Sequence, residues 1–391
     1  MRVAWLVMAS ACSFSTTIGT GDGEAIDAPG IDDGRIGDVA HVPAAVEDAF
    51  AATASVTIGN ATIQTRSAGT APMIDVALPT GASLTSSPQD DSSGRELAIL
   101  EVGDLTVTGT LLVRGTRPLV IIARGSITVT GAIDGSAVKG VPGAGGYDPK
   151  AGPGKGGNGA DDAASFDDSG GGGGGFGTAG SEGQASGPTA AGSAGASYGM
   201  DLLRLEGGSG GGDMSPSCPN NVAGAGGGAI QLYARGAITI DGVVMVNGGG
   251  GDGGLVCPSL GLGTSGAGGG SGGAIYVQSA SVTGSGLLLA QGGAGGGGSD
   301  FNNSTPGGDG ANGSAMIAAA LGGTGPGTGI GGEVNAGANG GFRDAPPSTH
   351  VALSGANFGN GGGGGGGVGR IVIRAATSTV ATSPTPATLA P

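Results

Sequence analysis

The sequence predicts an all-β protein: a parallel β-helix, or solenoid-like core, carrying long glycine-rich insertions. Glycine makes up 95 of the 391 residues, more than three times its average share of about 7%. It lacks the strict Gly-X-Y period of collagen, and short β-branched segments recur between the glycines. Helical periodicity is nearly absent, which disfavours a helix-rich fold.

The clearest repeat is a seven-residue segment that begins and ends with glycine. Residues 103–109 (GDLTVTG) recur as 125–131 (GSITVTG), displaced by 22 residues (125 − 103). Looser copies stand at 236–242 and 280–284. Other predicted strands accompany the copies: residues 119–124, 230–235, 243–246, 274–278, 287–290 and 370–374. Such short strands suit stacked rungs, because none can bury its apolar face alone.

Period-two alternation divides the repeated strands into an apolar face and a hydroxyl face. The apolar face is predicted to contain Leu105, Val107, Ile127, Val129, Ile238 and Ile240. The opposite face is predicted to contain Thr106, Thr108, Thr128 and Thr130.

Composition divides the chain into five segments. They are a signal peptide (1–11), an acidic low-complexity tether without stable structure (12–50), an irregular β lead-in (51–95), the glycine-rich β domain (96–375) and a flexible tail (376–391). Three insertions, 140–202, 247–272 and 292–369, interrupt the β domain. Such segments are disordered, functional, or bundled as polyproline-II strands; we expect partial order near the core and mobile tips.

The first twelve residues predict export and lipidation. Arg2 precedes an apolar stretch too short to span a bilayer as a helix, and small residues precede Cys12. This pattern resembles the lipobox of bacterial lipoproteins, in which the cysteine is acylated. Ala9 departs from the leucine that the family prefers three residues before the cysteine. An ordinary cleaved signal, or a misassigned start, is the alternative.

The two remaining cysteines, Cys218 and Cys257, are predicted to form a disulfide in an oxidising compartment. A bridge across this separation would stabilise the fold by roughly 4 kcal/mol in the chain-entropy model. Two unpaired thiols in mobile loops are the alternative. Because the sequence contains no CxxC motif or Cys/His cluster, no zinc site is expected.

The charge distribution excludes nucleic acid as a partner. Thirty acidic residues against fifteen basic ones give a formal charge of −15. Nucleic-acid binding requires clusters of Lys and Arg, and none is present.

We expect no catalytic residues, no cofactor and no metal, and hence not an enzyme. The only histidines, His41 and His350, lie outside the repeated strands. Residues 156–161 and 295–300 match the first six positions of a calcium-binding repeat, but neither match recurs in tandem. Solvated loops explain the acidic doublets, and solvated turns explain Arg114, Arg124 and Arg235.

Two binding functions remain as alternatives. A secreted carbohydrate-active or carbohydrate-binding protein would need aromatic platforms, yet Trp5 lies in the signal and Tyr233 and Tyr276 suit core or turn positions. The outward threonine pairs could form a regular hydroxyl-and-methyl array that binds ice or another crystalline surface. The third copy interrupts that array, because Asp241 follows Thr239 at the second position.

The motifs together resemble a known class of proteins. The chain combines its lipobox-like start with an Asp/Ala/Pro/Gly tether, residues 116–131, the strands GGAIQL (227–232) and GGAIYV (272–277), and a terminal GVGRIVI (367–373). This order resembles the glycine-rich exported proteins of myxobacteria and related bacteria, sometimes labelled PE-PGRS-like. The likeness runs from about residue 73 onward, and the chain has no PE helical domain. The resemblance implies a cell-surface protein and gives no catalytic residues.

We therefore expect a non-enzymatic surface lipoprotein with a structural, adhesive or matrix-contact role. A lipid anchor would hold it on a membrane, with a surface polysaccharide or matrix as the possible partner. Ser13 stands where an inner-membrane lipoprotein would have Asp, which favours the bacterial outer membrane.

Overall fold

The computed structural model describes ten stretches of the chain. They are residues 39–48, 50–90, 95–161, 168–200, 202–214, 222–257, 262–300, 305–326, 335–353 and 359–389. No helix within these stretches is long and apolar enough to span a bilayer.

One short helix and 22 strands make up the regular structure within these ten stretches. The helix α1 covers Ala44–Asp48. The first ten strands are β1 (Val56–Ile58), β2 (Ala61–Gln64), β3 (Met73–Ile74), β4 (Ser83–Pro88), β5 (Glu96–Val102), β6 (Leu105–Val107), β7 (Thr110–Arg114), β8 (Leu119–Ala123), β9 (Ile127–Val129) and β10 (Ala132–Asp134). The next eight are β11 (Ala229–Ala234), β12 (Ile238–Ile240), β13 (Val243–Met245), β14 (Val256–Cys257), β15 (Leu262–Gly263), β16 (Ala274–Gln278), β17 (Ser281–Thr283) and β18 (Leu287–Leu289). The last four are β19 (Arg370–Arg374), β20 (Thr377–Ser378), β21 (Ala381–Ser383) and β22 (Ala387–Leu389).

Three large sheets contain all of these strands except the separate antiparallel pair β14–β15. Sheet A has the order β1-β6-β9-β12-β17-β20. Sheet B has the order β21-β18-β13-β10-β7-β2-β3, and sheet C has the order β22-β19-β16-β11-β8-β5-β4. Consecutive strands visit sheets C, A and B in turn, as β8, β9 and β10 do, and pair in parallel with their counterparts in the next set.

Aliphatic side chains from the three sheets form one core. The apolar face predicted from the repeats is confirmed, because its six members are all at most 1% exposed. Ile127 of sheet A, Leu111 of sheet B and Ile121 of sheet C belong to the same cluster of buried residues. This arrangement accounts for the short strands, since most of them contribute only one to three side chains to the shared interior.

The final strand of each sheet replaces an aliphatic residue with a hydroxyl residue. In β20, Ser378 pairs with Val282, and in β21, Thr382 pairs with Leu288. In β22, Thr388 pairs with Ile373. In sheets A and B the aliphatic columns therefore end in polar residues at the last strand, which reduces the apolar area left at that end.

Between sheets B and C the chain makes long excursions that pack into a second layer, which we call the glycine bundle. The chain leaves sheet B after β10, β13 and β18 and re-enters sheet C at β11, β16 and β19. The bundle consists of extended segments without regular strands: residues 154–159, 168–175, 178–184, 191–197, 207–214, 223–228, 246–254, 264–273, 290–299, 307–313, 320–325, 335–341 and 359–369.

Backbone hydrogen bonds in the bundle have a period of three residues. The amides of Gly170 and Gly173 donate to carbonyls of residues 184 and 181, and those of 171 and 174 donate to residues 266 and 269. The amides of 172 and 175 donate to residues 157 and 154, and all six bonds measure 2.7–3.0 Å. A polyproline-II helix has three residues per turn and no internal hydrogen bonds. The pattern therefore matches the polyproline-II option.

Glycine is required in the bundle because the backbones are in contact. A Cβ atom on Gly173 would lie 1.9 Å from the carbonyl oxygen of Gly365. One on Gly226 would lie 1.7 Å from the carbonyl oxygen of Gly208. Both distances are far inside van der Waals contact, so any other residue would force the segments apart.

The prediction of a parallel β-helix is wrong. The sheets mix parallel and antiparallel pairs, since β3 runs antiparallel to β2 and β4 runs antiparallel to β5, and the sheets do not close. The described parts of the long insertions are packed backbone. Other residues of these insertions, such as 162–167, 301–304 and 327–334, lie outside the described stretches, so the mobile tips stay a prediction. A sequence repeat reveals only the strands that share it, whereas β3 and β4 carry no copy and glycine runs have no side-chain pattern.

The prediction of a tether without stable structure up to residue 50 is also wrong for its final part. Val39, Val42 and Phe50 are 2–4% exposed and pack against the outer face of sheet C. Residues 12–38 lie outside the described residues. The segment expected to be a flexible tail, 376–391, contributes β20, β21 and β22.

Candidate functional site

Five threonines form a ladder across five adjacent strands of sheet A. Register pairs Thr57 with Thr106, Thr106 with Thr128, Thr128 with Thr239, and Thr239 with Thr283. Each lies next to buried aliphatic residues in its strand, so its side chain points away from the core. We call these five residues the threonine face.

The outer face of sheet A is open, whereas that of sheet C is covered. Thr57 is exposed and the other four threonines are partly exposed. In sheet C, every residue of β8, β11 and β16 is buried, because Val39, Val42 and Phe50 together with Phe176, Leu202 and Leu205 pack against that face. Among the described parts of the chain, sheet A therefore presents the more accessible regular surface.

The hydroxyls of the threonine face are available to an outside partner. Within the described residues, none of the five makes a hydrogen bond to another protein group. By contrast, Thr108 and Thr130 donate to the carbonyl oxygens of Ile58 and Val107, both at 3.3 Å. These two threonines belong to the shorter second column, which Asp241 interrupts as the sequence predicted.

Two carboxylates flank the threonine face, and neighbouring serines hold both. Asp104 accepts hydrogen bonds from the Ser126 amide at 2.7 Å and the Ser126 hydroxyl at 3.0 Å, and one from the Ser55 hydroxyl at 3.1 Å. The Ser126 amide is the main cause that lowers the pKa of Asp104. Asp241 accepts from the amide and hydroxyl of Ser285 at 3.0 and 3.2 Å.

The predicted cysteine sites fall mostly outside the described residues. Cys12 and Cys218 both lie outside the described residues. Cys257 ends β14, where its backbone pairs with Leu262. Lipidation of Cys12 and the bridge between Cys218 and Cys257 therefore remain predictions.

The two histidines occupy separate places and support packing. His41 Nδ1 lies 2.8 Å from Gln231 Oε1, and its ring packs edge-on against Tyr276 at 5.0 Å between centroids. His350 Nε2 lies 2.9 Å from the carbonyl oxygen of Gly363, and burial lowers its pKa. The structure does not bring them together.

Other residues weighed from the sequence have structural partners. Tyr233 and Tyr276 are 7% and 5% exposed on the covered face of sheet C, so neither forms a sugar-binding platform. Arg124 stacks over the Phe50 ring at 5.5 Å, and Arg114 lies 3.8 Å from Asp134. In the described part of the chain, no three His, Cys, Asp or Glu residues cluster as metal ligands.

An open cleft beside β19 is lined by two charged side chains. One is Asp344, which accepts hydrogen bonds from the amide and hydroxyl of Thr385 at 2.9 and 2.6 Å. The other is Arg370. Its guanidinium Nε donates to the carbonyl oxygen of Tyr198 at 2.8 Å and its carbon lies 5.7 Å from the centre of the Phe176 ring. Arg370 therefore links sheet C to Tyr198 and Phe176, which lie next to segments of the glycine bundle, and this role explains its presence without a ligand.

Sequence reasoning found two threonine pairs but missed the extent of the ladder. Thr57 lies in a Val-Thr-Ile-Gly segment, 56–59, with the same apolar-Thr-apolar pattern as β6 and β9. Comparison of the chain with protein-family models, curated proteins and solved structures finds no significant match.

Proposed function

We propose that this protein is a non-enzymatic surface-contact protein that binds a flat, regularly ordered surface through its threonine face. The observation that supports the proposal is the unbroken register of five threonines on the open outer face of sheet A, whose hydroxyls have no protein partner among the described residues. A contact of this kind uses many weak, repeated interactions and needs no pocket.

The surroundings of the ladder favour a stiff contact surface. Threonine is β-branched, so few side-chain conformations are open to it and little entropy is lost when it binds. Flanking aliphatic residues such as Val107 and Val129 are fully buried and fix the strands beneath. The ladder is therefore pre-organised over the width of five strands.

Binding to ordered solids tests the proposal. The purified full chain is sedimented with microcrystalline cellulose, chitin and fine ice, and the bound fraction is measured. We expect binding to at least one solid, and Thr128→Lys should lower it at least about tenfold, or about 1.4 kcal/mol. Thr128 is the central residue of the ladder, so a lysine there would break the flat array.

A matched control uses the same substitution on another sheet. Thr110 is an exposed residue at the start of β7 in sheet B, and Thr110→Lys should leave binding unchanged. The proposal fails if the chain binds none of the solids, or if both variants bind as well as the original.

The location of the protein is part of the proposal. We propose that acylated Cys12 anchors it to the outer membrane, which would place the threonine face at the cell surface. Cys12→Ser should move the protein from the membrane fraction to soluble fractions, because the acyl chains supply the membrane affinity. Unchanged membrane fractionation of that variant would rule out the anchor.

A further inference from the structure

The spacing of the ladder resembles that of a water lattice. Neighbouring strands of a sheet lie about 4.8 Å apart, so the five in-register threonines repeat at that interval. This repeat is close to the distance between equivalent water molecules in the surface layers of ordinary ice. Since the pairing shifts by no residue from Thr57 to Thr283, the match is kept across the whole ladder.

Each threonine offers the two groups that hold an ordered water layer. Its hydroxyl donates and accepts hydrogen bonds, while its methyl group cannot compete for them and favours water molecules bonded to one another. In the threonine face the five hydroxyls are unoccupied by protein partners within the described residues. They are therefore available to take places in a water lattice.

The five residues of the threonine face carry no charge and no aromatic ring, although two carboxylates flank it. The residue at the ladder position is threonine in all five strands, and the flanking Asp104 and Asp241 are engaged by Ser126 and Ser285. A polysaccharide surface is recognised mainly by stacking on aromatic rings, which this face does not offer. An array of small neutral hydroxyl and methyl groups fits ordered water better than sugar rings.

We infer that the ordered surface bound by the threonine face is ice. This inference rests on the proposed function and assigns its ligand. The five threonines hold water molecules in lattice positions, and those waters join the growing crystal. Adsorption along a flat face then slows the growth of the crystal plane to which the protein is attached.

The test measures incorporation into slowly growing ice together with the shape of single crystals. The full chain should enter the ice and facet the crystals. Thr128→Lys should lower incorporation at least about tenfold, and Thr110→Lys should behave as the original. Thr57→Lys, at the exposed end of the ladder, provides a second variant in which folding is not at risk; it should lower incorporation less than Thr128→Lys. Circular dichroism confirms that each variant is folded.

The outcomes separate this inference from the function on which it rests. Exclusion from ice, combined with binding to cellulose or chitin that Thr128→Lys abolishes, would overturn ice as the ligand and leave surface contact standing. Absence of any Thr128-dependent binding to ice, cellulose or chitin would overturn both.

Discussion

The three sheets and the glycine bundle are held together by opposite means. In the sheets, the interior is filled by aliphatic side chains such as Ile121 and Ile127, both fully buried. In the bundle, residues 170–175 have no side chains at all, and each amide donates to a carbonyl of another segment. One region excludes water with side chains, and the other with backbone alone.

This difference shows how far glycine can replace a hydrophobic core. Buried backbone amides and carbonyls must be paired, and the period of three allows each residue to bond a different neighbouring segment. Each bond contributes only about 1 kcal/mol net. The ordering cost is high because glycine loses the most conformational freedom. Many bonds are therefore needed, which fits the large number of glycine segments.

The largest expected change in stability comes from a substitution that removes buried atoms from the core between the sheets. Ile127→Ala should lower the free energy of unfolding by about 4 kcal/mol, because a buried side chain is lost and a cavity remains. Chemical denaturation measures the change. Val138→Ala, at an exposed valine, should stay within about 0.5 kcal/mol. Equal losses in the two variants would contradict the assignment of the core.

The next largest change in stability comes from a substitution that adds one carbon atom to the glycine bundle. Gly226→Ala should lower the free energy of unfolding by about 3 kcal/mol, because the new methyl group overlaps a backbone carbonyl that cannot move alone. Gly59→Ala is the matched control, since a Cβ there meets nothing within 4 Å. If Gly226→Ala unfolds at the same denaturant concentration as Gly59→Ala, the bundle is not close-packed.

The smallest effect is electrostatic and lies in the sheets. Burial raises the pKa of Glu101 in β5, although the Ser83 hydroxyl donates to it at 3.2 Å. A raised pKa means that folding favours the protonated form, so this contribution is present at acid pH and lost as pH rises through the folded-state pKa. Glu101→Gln should therefore be slightly more stable than the original at neutral pH, with the difference shrinking in acid.

The substitution Asp104→Asn should change the stability at neutral pH in the opposite direction to Glu101→Gln. The pKa of Asp104 is lowered, so its contribution is present at neutral pH and lost as pH falls through the folded-state pKa. This variant should be less stable than the original at neutral pH. Denaturation curves at neutral and acid pH check both variants, and the same sign for the two would refute the assigned causes.

The strands that repeat in the sheets could be predicted from the sequence because apolar and polar residues alternate along a strand whose one face is buried. Alternation located β6, β9 and β12, and the buried faces of all three are confirmed. The same reasoning placed β3 and β4 only within an irregular β lead-in, because their antiparallel pairing depends on chain reversals without a repeated pattern. Nor could it place the glycine runs, because the period of three exists only in their backbone hydrogen bonds.

The threonine face was predicted only in part, because only some of its strands carry a recognisable repeat. Thr106 and Thr128 stand in matching repeats, so their pairing followed from the sequence. The addition of Thr57 depended on the pairing of β1 with β6, and β1 lies in a segment interpreted only as an irregular lead-in. Register between strands far apart in sequence is set by the packed core, and the alternation of a single strand does not reveal it.

Amide hydrogen exchange in residues 170–175 tests the packed backbone core most directly. If the bundle is ordered as described, all six consecutive glycine amides should be protected to a degree comparable with the amides of β9, since each is bonded to a neighbouring segment. Complete exchange of these glycines within the first time point, while β9 stays protected, would show that they are loops and contradict the account.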